Sequence, residues 1–274
     1  MDSIAIVVLT HNRLHLAQKC YENVLARTSP TTTEVIVWDN GSTDGTARYF
    51  ESLDDPRLRL VRSQKNIGLN AYAEAVKLTT APFIVEVDDD VTEAPRDWDE
   101  TLLEAFRRLP NVGLLAADLE VDPNDTASWI RHEGRPHEYV PFEQDGVKLL
   151  RGPVGGACAM TSREVYDHVG GFYQQPGKIF FQEDAAYVRR VERHGYTAVV
   201  LRDLRVHHTG GEYYGEVVSA KAEFWNRYLR ARRRRDTTKR ALLKVPFVRQ
   251  LNDRSGWFVD PDADAARARS SPPV

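Results

Sequence analysis

The chain has little sulfur and no long apolar run. Among its 274 residues are two cysteines, Cys20 and Cys158, and two methionines. Two cysteines imply neither a disulfide framework nor a cysteine-ligated zinc site, which suits a reducing compartment. No stretch approaches the roughly 20 apolar residues that a membrane-spanning helix requires. The first apolar run, Ile4 to Leu9, lacks the charged lead-in and small-residue cleavage site of a signal peptide. A cytoplasmic protein is therefore expected, with peripheral membrane contact left open. Neither charge sign dominates: 37 Lys and Arg stand against 40 Asp and Glu, a formal net charge of −3. The protein as a whole is no nucleic-acid-binding polycation. It also carries no internal repeat.

What it does have is a regular alternation of short apolar runs and helical periods. Ile4–Leu9, Glu34–Asp39, Leu58–Val61 and the run from Phe83 to Val91 read as strands. Between them lie helical patterns over 14–27, about 45–54 and 71–78. Such alternation predicts βαβ units, and so an α/β fold with a mostly parallel central sheet and helices on both faces. A helix over 96–109 and a strand over 112–117 continue it. Residues 122–146, rich in Pro, Asn, Asp, Gly and His, read as a long loop or insertion. Leu149 to Met160 reads as a short strand and turn, 162–169 and 183–194 as helices, and 197–201 as a late strand. An extended approach at 204–206 leads to His207 and His208. From Glu216 to Leu243 the pattern is helical and basic. These patterns predict one α/β domain over 1–211. A basic helical extension (212–259) and a disordered tail (260–274) follow.

The second observation is where the acids fall. Phe83-Ile84-Val85-Glu86-Val87-Asp88-Asp89-Asp90-Val91 is an apolar strand that delivers three carboxylates at its end. Asp88 and Asp90, one residue apart, can share a face and hold one divalent cation such as Mg²⁺ or Mn²⁺, with Asp89 facing away. A solvated acidic turn is the plain alternative. Asp39 ends the second strand, where it can accept hydrogen bonds from a base or ribose, or make an Asx-turn in Asp39-Asn40-Gly41-Ser42. Thr10 and Arg13 close the first strand, and Asn66 and Gly68 close a third junction. Four loops thus converge on the carboxyl edge of the sheet, where open α/β folds bind ligands.

The ordered set resembles family 2 glycosyltransferases, nucleotide-sugar enzymes with the GT-A type of Rossmann-like fold. The resemblance rests on Val7-Val8-Leu9-Thr10-His11-Asn12-Arg13, Val37-Trp38-Asp39-Asn40-Gly41-Ser42-Thr43-Asp44-Gly45, Asn66-Ile67-Gly68-Leu69-Asn70-Ala71 and Asp88-Asp89-Asp90. It continues through Gly155-Gly156-Ala157, Val169-Gly170-Gly171-Phe172 and Phe181-Gln182-Glu183-Asp184, and covers about residues 4–211. It implies a metal-dependent, inverting hexosyltransferase using a nucleoside diphosphate sugar, UDP-linked by preference, with a nucleotide-sugar-binding half over 1–120 and an acceptor and catalytic half over 121–211. Asp39, Thr10, Arg13, Asn66, Gly68, Asp88 and Asp89 would then line the donor site. Asp90 and Asp88 would ligate the cation, with His207 first and His208 as alternate. Asp184, or failing it Glu183, would be the base. Gly155 and Gly156 would let backbone approach the sugar, and Trp129, His132 or Tyr139 could touch the acceptor. The acceptor would be the hydroxyl of a glycan, a lipid-linked precursor or a secondary metabolite.

Other readings stay open. The basic stretch from Arg227 to Lys244 is a departure from the family pattern. It fits a solvated face, contact with an anionic membrane, or polynucleotide phosphate, in which case hydroxylated DNA bases would be the acceptor. A non-catalytic nucleotide-sugar-binding module with the same fold would have lost the acidic motif or the base, and both are present. A nucleotidyltransferase would want a glycine-rich loop after the first strand, and Thr10-His11-Asn12-Arg13 has no glycine.

Overall fold

A computed structural model describes residues 2–121, 139–209 and 216–255. Trp129, His132 and the expected disordered tail lie outside the described residues. The chain begins with β1 (Ile4–Thr10), α1 (Leu14–Asn23), β2 (Thr32–Asp39), α2 (Thr46–Glu51), β3 (Leu58–Arg62), α3 (Asn70–Val76) and β4 (Phe83–Asp88). These strands run parallel in the order β3-β2-β1-β4. The cause is visible in β1: a strand apolar on both faces is stable only where helices cover both. Ile4, Ile6 and Val8 pack on one side with Cys20 of α1 and with Trp98, Leu102 and Phe106. Val7, on the opposite face, packs with Ile36, Ile84, Tyr72 and Val76. Each fully buried aliphatic side chain of this kind contributes about 1.5–3 kcal/mol.

Beyond β4 the topology changes. A short β5 (Val91–Glu93) and α4 (Trp98–Arg108) lead to β6 (Val112–Val121), and then come the hairpin strands β7 (Val140–Gln144) and β8 (Val147–Arg151). After β9 (Cys158–Ser162) come α5 (Arg163–His168), α6 (Glu183–Arg193) and β10 (Thr197–His208). The sheet order is β3-β2-β1-β4-β9-β6-β10-β8-β7, with β5 paired to β10. Strand β9 lies antiparallel between β4 and β6. The strand-and-turn expected over 149–160 is thus two strands on either side of a glycine loop, because an apolar run states that a strand exists but not its direction. The strand expected over 83–91 breaks after Asp88, and β5 leaves to pair with β10. The late strand and its extended approach are one strand, with register shifts against β6 between Thr197 and Ala198 and between Leu201 and Arg205. The helix expected over 14–27 stops at Asn23, followed by a tighter turn at Leu25–Arg27. The basic extension is two helices, α7 (Glu216–Leu243) and α8 (Pro246–Ser255). Pro246 starts the second, where its missing N–H costs nothing.

Parallel registration is what builds the edge. Thr10 lies opposite Asp39, and Leu9 opposite Asp88, so the ends of three strands stand side by side. One close approach locks the far wall: Gly68 has φ +60° and lies directly under the Ile179 backbone, whose carbonyl accepts the Leu69 N–H at 3.0 Å. A Cβ at Gly68 would collide with that backbone, whereas Gly177, φ +81°, has open space around it. Both substitutions by Ala meet the left-handed strain of about 1–2 kcal/mol; Gly68→Ala also meets a clash. Gly68→Ala is therefore expected to lower unfolding free energy by clearly more than Gly177→Ala, at least about 3 kcal/mol in total. Urea denaturation of the two variants measures the difference.

Candidate active site

The site is built where β4 ends. Along β4, Ile84, Glu86 and Asp88 share one face by strand alternation. The chain then turns through Asp89 and Asp90, both buried. Arg13, buried just after β1, grips this turn: Nη1 donates to Asp89 Oδ1 and Nη2 to Asp90 Oδ2, each at 2.7 Å. Tyr72 of α3 donates its hydroxyl to Asp88 Oδ1 at 2.8 Å. From the end of β10, His208 Nε2 approaches Asp90 Oδ1 at 3.1 Å and Asp88 Oδ2 at 3.9 Å. The backbone N–H of Thr209 donates to the Asp90 carbonyl at 2.9 Å, which fixes this strand end against the acidic turn. One ligand atom each from Asp88, Asp90 and His208 lie within 4.8 Å of one another.

His207 goes elsewhere. Successive residues of a strand point to opposite faces, and His207 Nδ1 lies 3.2 Å from Thr92 Oγ1 on β5. The geometry thus reverses the order of preference between the two histidines. Asp89 does not turn out to solvent either; its carboxylate is the inner partner of Arg13.

The charges explain the arrangement. Burial works against ionisation of Asp90, yet His208 and Arg13 outweigh it and hold the carboxyl below the usual carboxylate range. Burial pushes Asp89 up to about 7 despite the opposing Arg13 guanidinium. Asp88 is raised by burial and by the Asp90 charge, with His208 and Tyr72 resisting. Asp90 Oδ1 is buried without a hydrogen bond even though His208 Nε2 is near. Asp88, Asp90 and, when neutral, His208 each bring one ligand atom within 4.8 Å of the others, a set that could hold a divalent cation. Oxygen and imidazole donors suit Mg²⁺ or Mn²⁺ as well as later transition metals.

The donor-side loops are tied to one another. Asp39 is buried, and its Oδ1 accepts the Ser42 N–H, three residues on, at 2.9 Å, which holds the turn at the strand end. Asn40 braces the next loop: its Oδ1 accepts from Ile67 N–H at 3.0 Å and its Nδ2 donates to the Gly68 carbonyl at 3.1 Å. Asn66 Oδ1 accepts the Gly68 N–H at 2.8 Å. Asn70 Nδ2 reaches the carbonyls of Gln175 and Lys178, joining this loop to the segment that enters α6. Thr10 is buried at the end of β1.

That segment delivers Glu183 and Asp184 to the first turn of α6, where the helix dipole favours acids. Glu183 is buried, whereas Asp184 is half-buried. Burial, then the Asp184 charge, raises Glu183 well above the ordinary range. Asp184 is raised by burial, opposed by the backbone N–H groups of Ala185 and Gly156. The glycine pair lies against these acids. A Cβ at Gly155 would stand 3.5 Å from Asp184 Oδ2, and one at Gly156 would fall 2.7 Å from the Glu86 carboxyl. Glu86, Tyr72 and Asn40 were not singled out for the site from sequence. A buried acid inside an apolar strand marks Glu86, but helical spacing alone gives Tyr72 no signal beyond packing.

The sequence profile described as "Glycosyl transferase family 2" matches residues 5–170, more than half of the chain. The chain belongs to glycosyl transferase family 2. This glycosyltransferase is 25% identical over 232 residues to the glucosyl-dolichyl phosphate glucuronosyltransferase of Haloferax volcanii, covering 78% of the chain and 71% of that protein. It is 27% identical over 245 residues to the N-acetylglucosaminyl-diphospho-decaprenol L-rhamnosyltransferase of Mycobacterium tuberculosis, covering 76% of each. An uncharacterised Sinorhizobium fredii protein, y4gI, is 27% identical over 216 residues, which are 72% of this chain but only 23% of y4gI. Among solved structures, S. aureus TarS with UDP-GlcNAc gives a TM-score of 0.59 at 16% identity, over 77% of this chain and 60% of that one. The mannosyltransferase PcManGT of Pyrobaculum calidifontis, with GDP-Man and Mn²⁺, gives 0.52 at 24% identity, over 74% and 56%. These likenesses establish the GT-A fold.

The raised Glu183 carboxyl has a consequence for stability. The unfolded chain releases this proton near the ordinary glutamate value of 4.5, whereas the folded chain holds it to higher pH. Stability contributed here therefore falls as pH rises from that value toward the raised one. Glu183→Gln keeps the shape without the charge. Calorimetry should show the variant gaining Tm relative to the parent at neutral pH, with little difference below about pH 4. An equal Tm difference at both pH values would mean that folding does not raise the Glu183 pKa.

Proposed function

We propose that this glycosyltransferase moves a hexose, with inversion, from a nucleoside diphosphate sugar, UDP-linked by preference, to an acceptor hydroxyl. The observation that carries the reading is the convergence of Asp88, Asp90 and His208 at one strand end, with Asp184 presented from α6 across the Gly155–Gly156 loop. Asp88, Asp90 and His208 would hold the divalent cation. When bound there, such a cation neutralises charge on the departing diphosphate. Asp39 and the braced loop at 66–70 line the nucleoside side. Arg13 keeps Asp90 ionised and oriented.

Asp184 is the group assigned to take the acceptor proton. It remains reachable while Glu183 is buried, and a carboxyl lifted above its ordinary range is a stronger base. A single base without an enzymic nucleophile supports direct displacement and inversion. The names of two relatives, acting on dolichyl- and decaprenol-linked glycans, support a lipid-linked saccharide as the acceptor here.

Two measurements test the reading. A thermal-shift screen of nucleoside diphosphate sugars should find a donor that stabilises the protein in the presence of Mn²⁺ or Mg²⁺, by about 2.7 kcal/mol at a hundredfold excess over Kd. Asp90→Ala should abolish this metal-dependent shift. Asp184→Asn should leave donor binding intact and lower kcat about a hundredfold to ten-thousandfold. Undiminished donor turnover, hydrolysis included, in both variants would remove the site assignment. Absence of turnover with every donor would favour a binding module.

A further inference from the structure

The basic extension is not used by the site. Nine of the eighteen residues from Arg227 to Lys244 are Arg or Lys and one, Asp236, is acidic. This stretch therefore carries +8 in a chain whose total is −3, and the remainder carries −11. Helix α7 holds these cations around an exposed rod; Arg230, Arg233, Arg234 and Arg235 all stand in solvent. At its far end the chain turns into α8 and exposes three apolar side chains, Leu242 at 39%, Val245 at 48% and Phe247 at 68%. The neighbouring Lys244 is exposed too. An apolar tip next to a dense cationic stem has the chemistry of an interfacial anchor: the tip enters the acyl boundary and the cations meet lipid phosphates.

The root of the rod lies next to the site. Phe224 packs edge-on against Phe180 with ring centroids 5.4 Å apart, and Lys221 Nζ stands 5.7 Å from the same ring. Phe180 precedes Glu183 by three residues in the segment that Asn70 and Leu69 also hold. An arm anchored there would keep the acceptor side of the site near the surface on which the arm lies.

We infer that α7 and α8 form a peripheral anchor for an anionic lipid bilayer. The inference deepens the lipid-linked acceptor reading. Polynucleotide would satisfy the cations but gives no role to Leu242, Val245 and Phe247, and the acidic remainder of the chain would be repelled by either polyanion, leaving the arm as the contact. No helix among the described residues is long and apolar enough to cross a membrane, so attachment through this arm would be reversible and salt-sensitive.

The test is co-sedimentation of the full chain with phosphatidylcholine vesicles, with or without about one-third phosphatidylglycerol. Binding is expected to the anionic vesicles alone and to weaken with added salt. The triple variant Arg233→Gln, Arg234→Gln, Arg235→Gln should bind them about a hundredfold less tightly, at roughly fivefold per removed cation. Leu242→Ser, Val245→Ser, Phe247→Ser should weaken binding that survives at high salt. Both variants should keep the parent's Tm and its turnover of donor without vesicles. Equal binding to neutral vesicles, full vesicle binding by the arginine variant, or tight binding to duplex DNA without vesicle binding would each overturn the inference. Donor turnover without vesicles is read separately, so loss of the anchor and failure of the transferase reading give different results.

Discussion

One guanidinium makes this site possible. Three consecutive carboxylates at the end of a buried strand would repel one another and draw water into the sheet edge. Arg13 answers two of them at once, with Asp89 and Asp90 each at 2.7 Å. Buried charges persist when paired and hydrogen-bonded, and removing one partner of such a pair costs about 3–5 kcal/mol. The pairing turns the chain sharply after Asp88, so β5 can leave β4 and join β10. That junction sets His208 beside Asp90. The ion pair and the metal-competent triad are therefore one construction, in which Asp90 faces Arg13 with one oxygen and the triad with the other.

A second constraint links the donor loops to the base. Segment 173–182 crosses over Gly68 and is held by Asn70 before it opens into α6. On the other side, Gly156 packs against the Glu86 carboxyl and Gly155 lies near Asp184. The donor loop and the segment entering α6 are thus joined by a backbone bond, Leu69 N–H to the Ile179 carbonyl, and by the short side chain of Asn70. A backbone bond and a short side chain leave few rotamers to adjust, which restricts relative motion.

Much of the architecture could be read from the chain in order. The apolar runs at Ile4, Val35 and Phe83, separated by helical periods, specify parallel strands covered on both faces, and the carboxyl edge of such a sheet locates the ligand crevice. The acids at Asp39 and Asp88 were legible for the same reason: each ends a strand whose register is dictated by burial. Less legible were the direction of β9, the splitting of the acidic strand into β4 and β5, and the choice between His207 and His208. Each of these depends on which strand lies beside which, and local periodicity carries no such information.

The sequence by itself determined the fold class, the family and the presence of acids at the right strand ends, because burial on both faces leaves a strand few alternatives. Tertiary structure alone decided which side chains meet. Arg13, expected beside a nucleoside pocket, is the counter-ion of the acidic turn. Asp89 was expected to face away and is buried against it. His208 displaces His207 because one residue of strand phase changes the face. Tyr72 and Glu86 join the site through packing between elements distant in sequence, and that proximity is a property of the folded sheet.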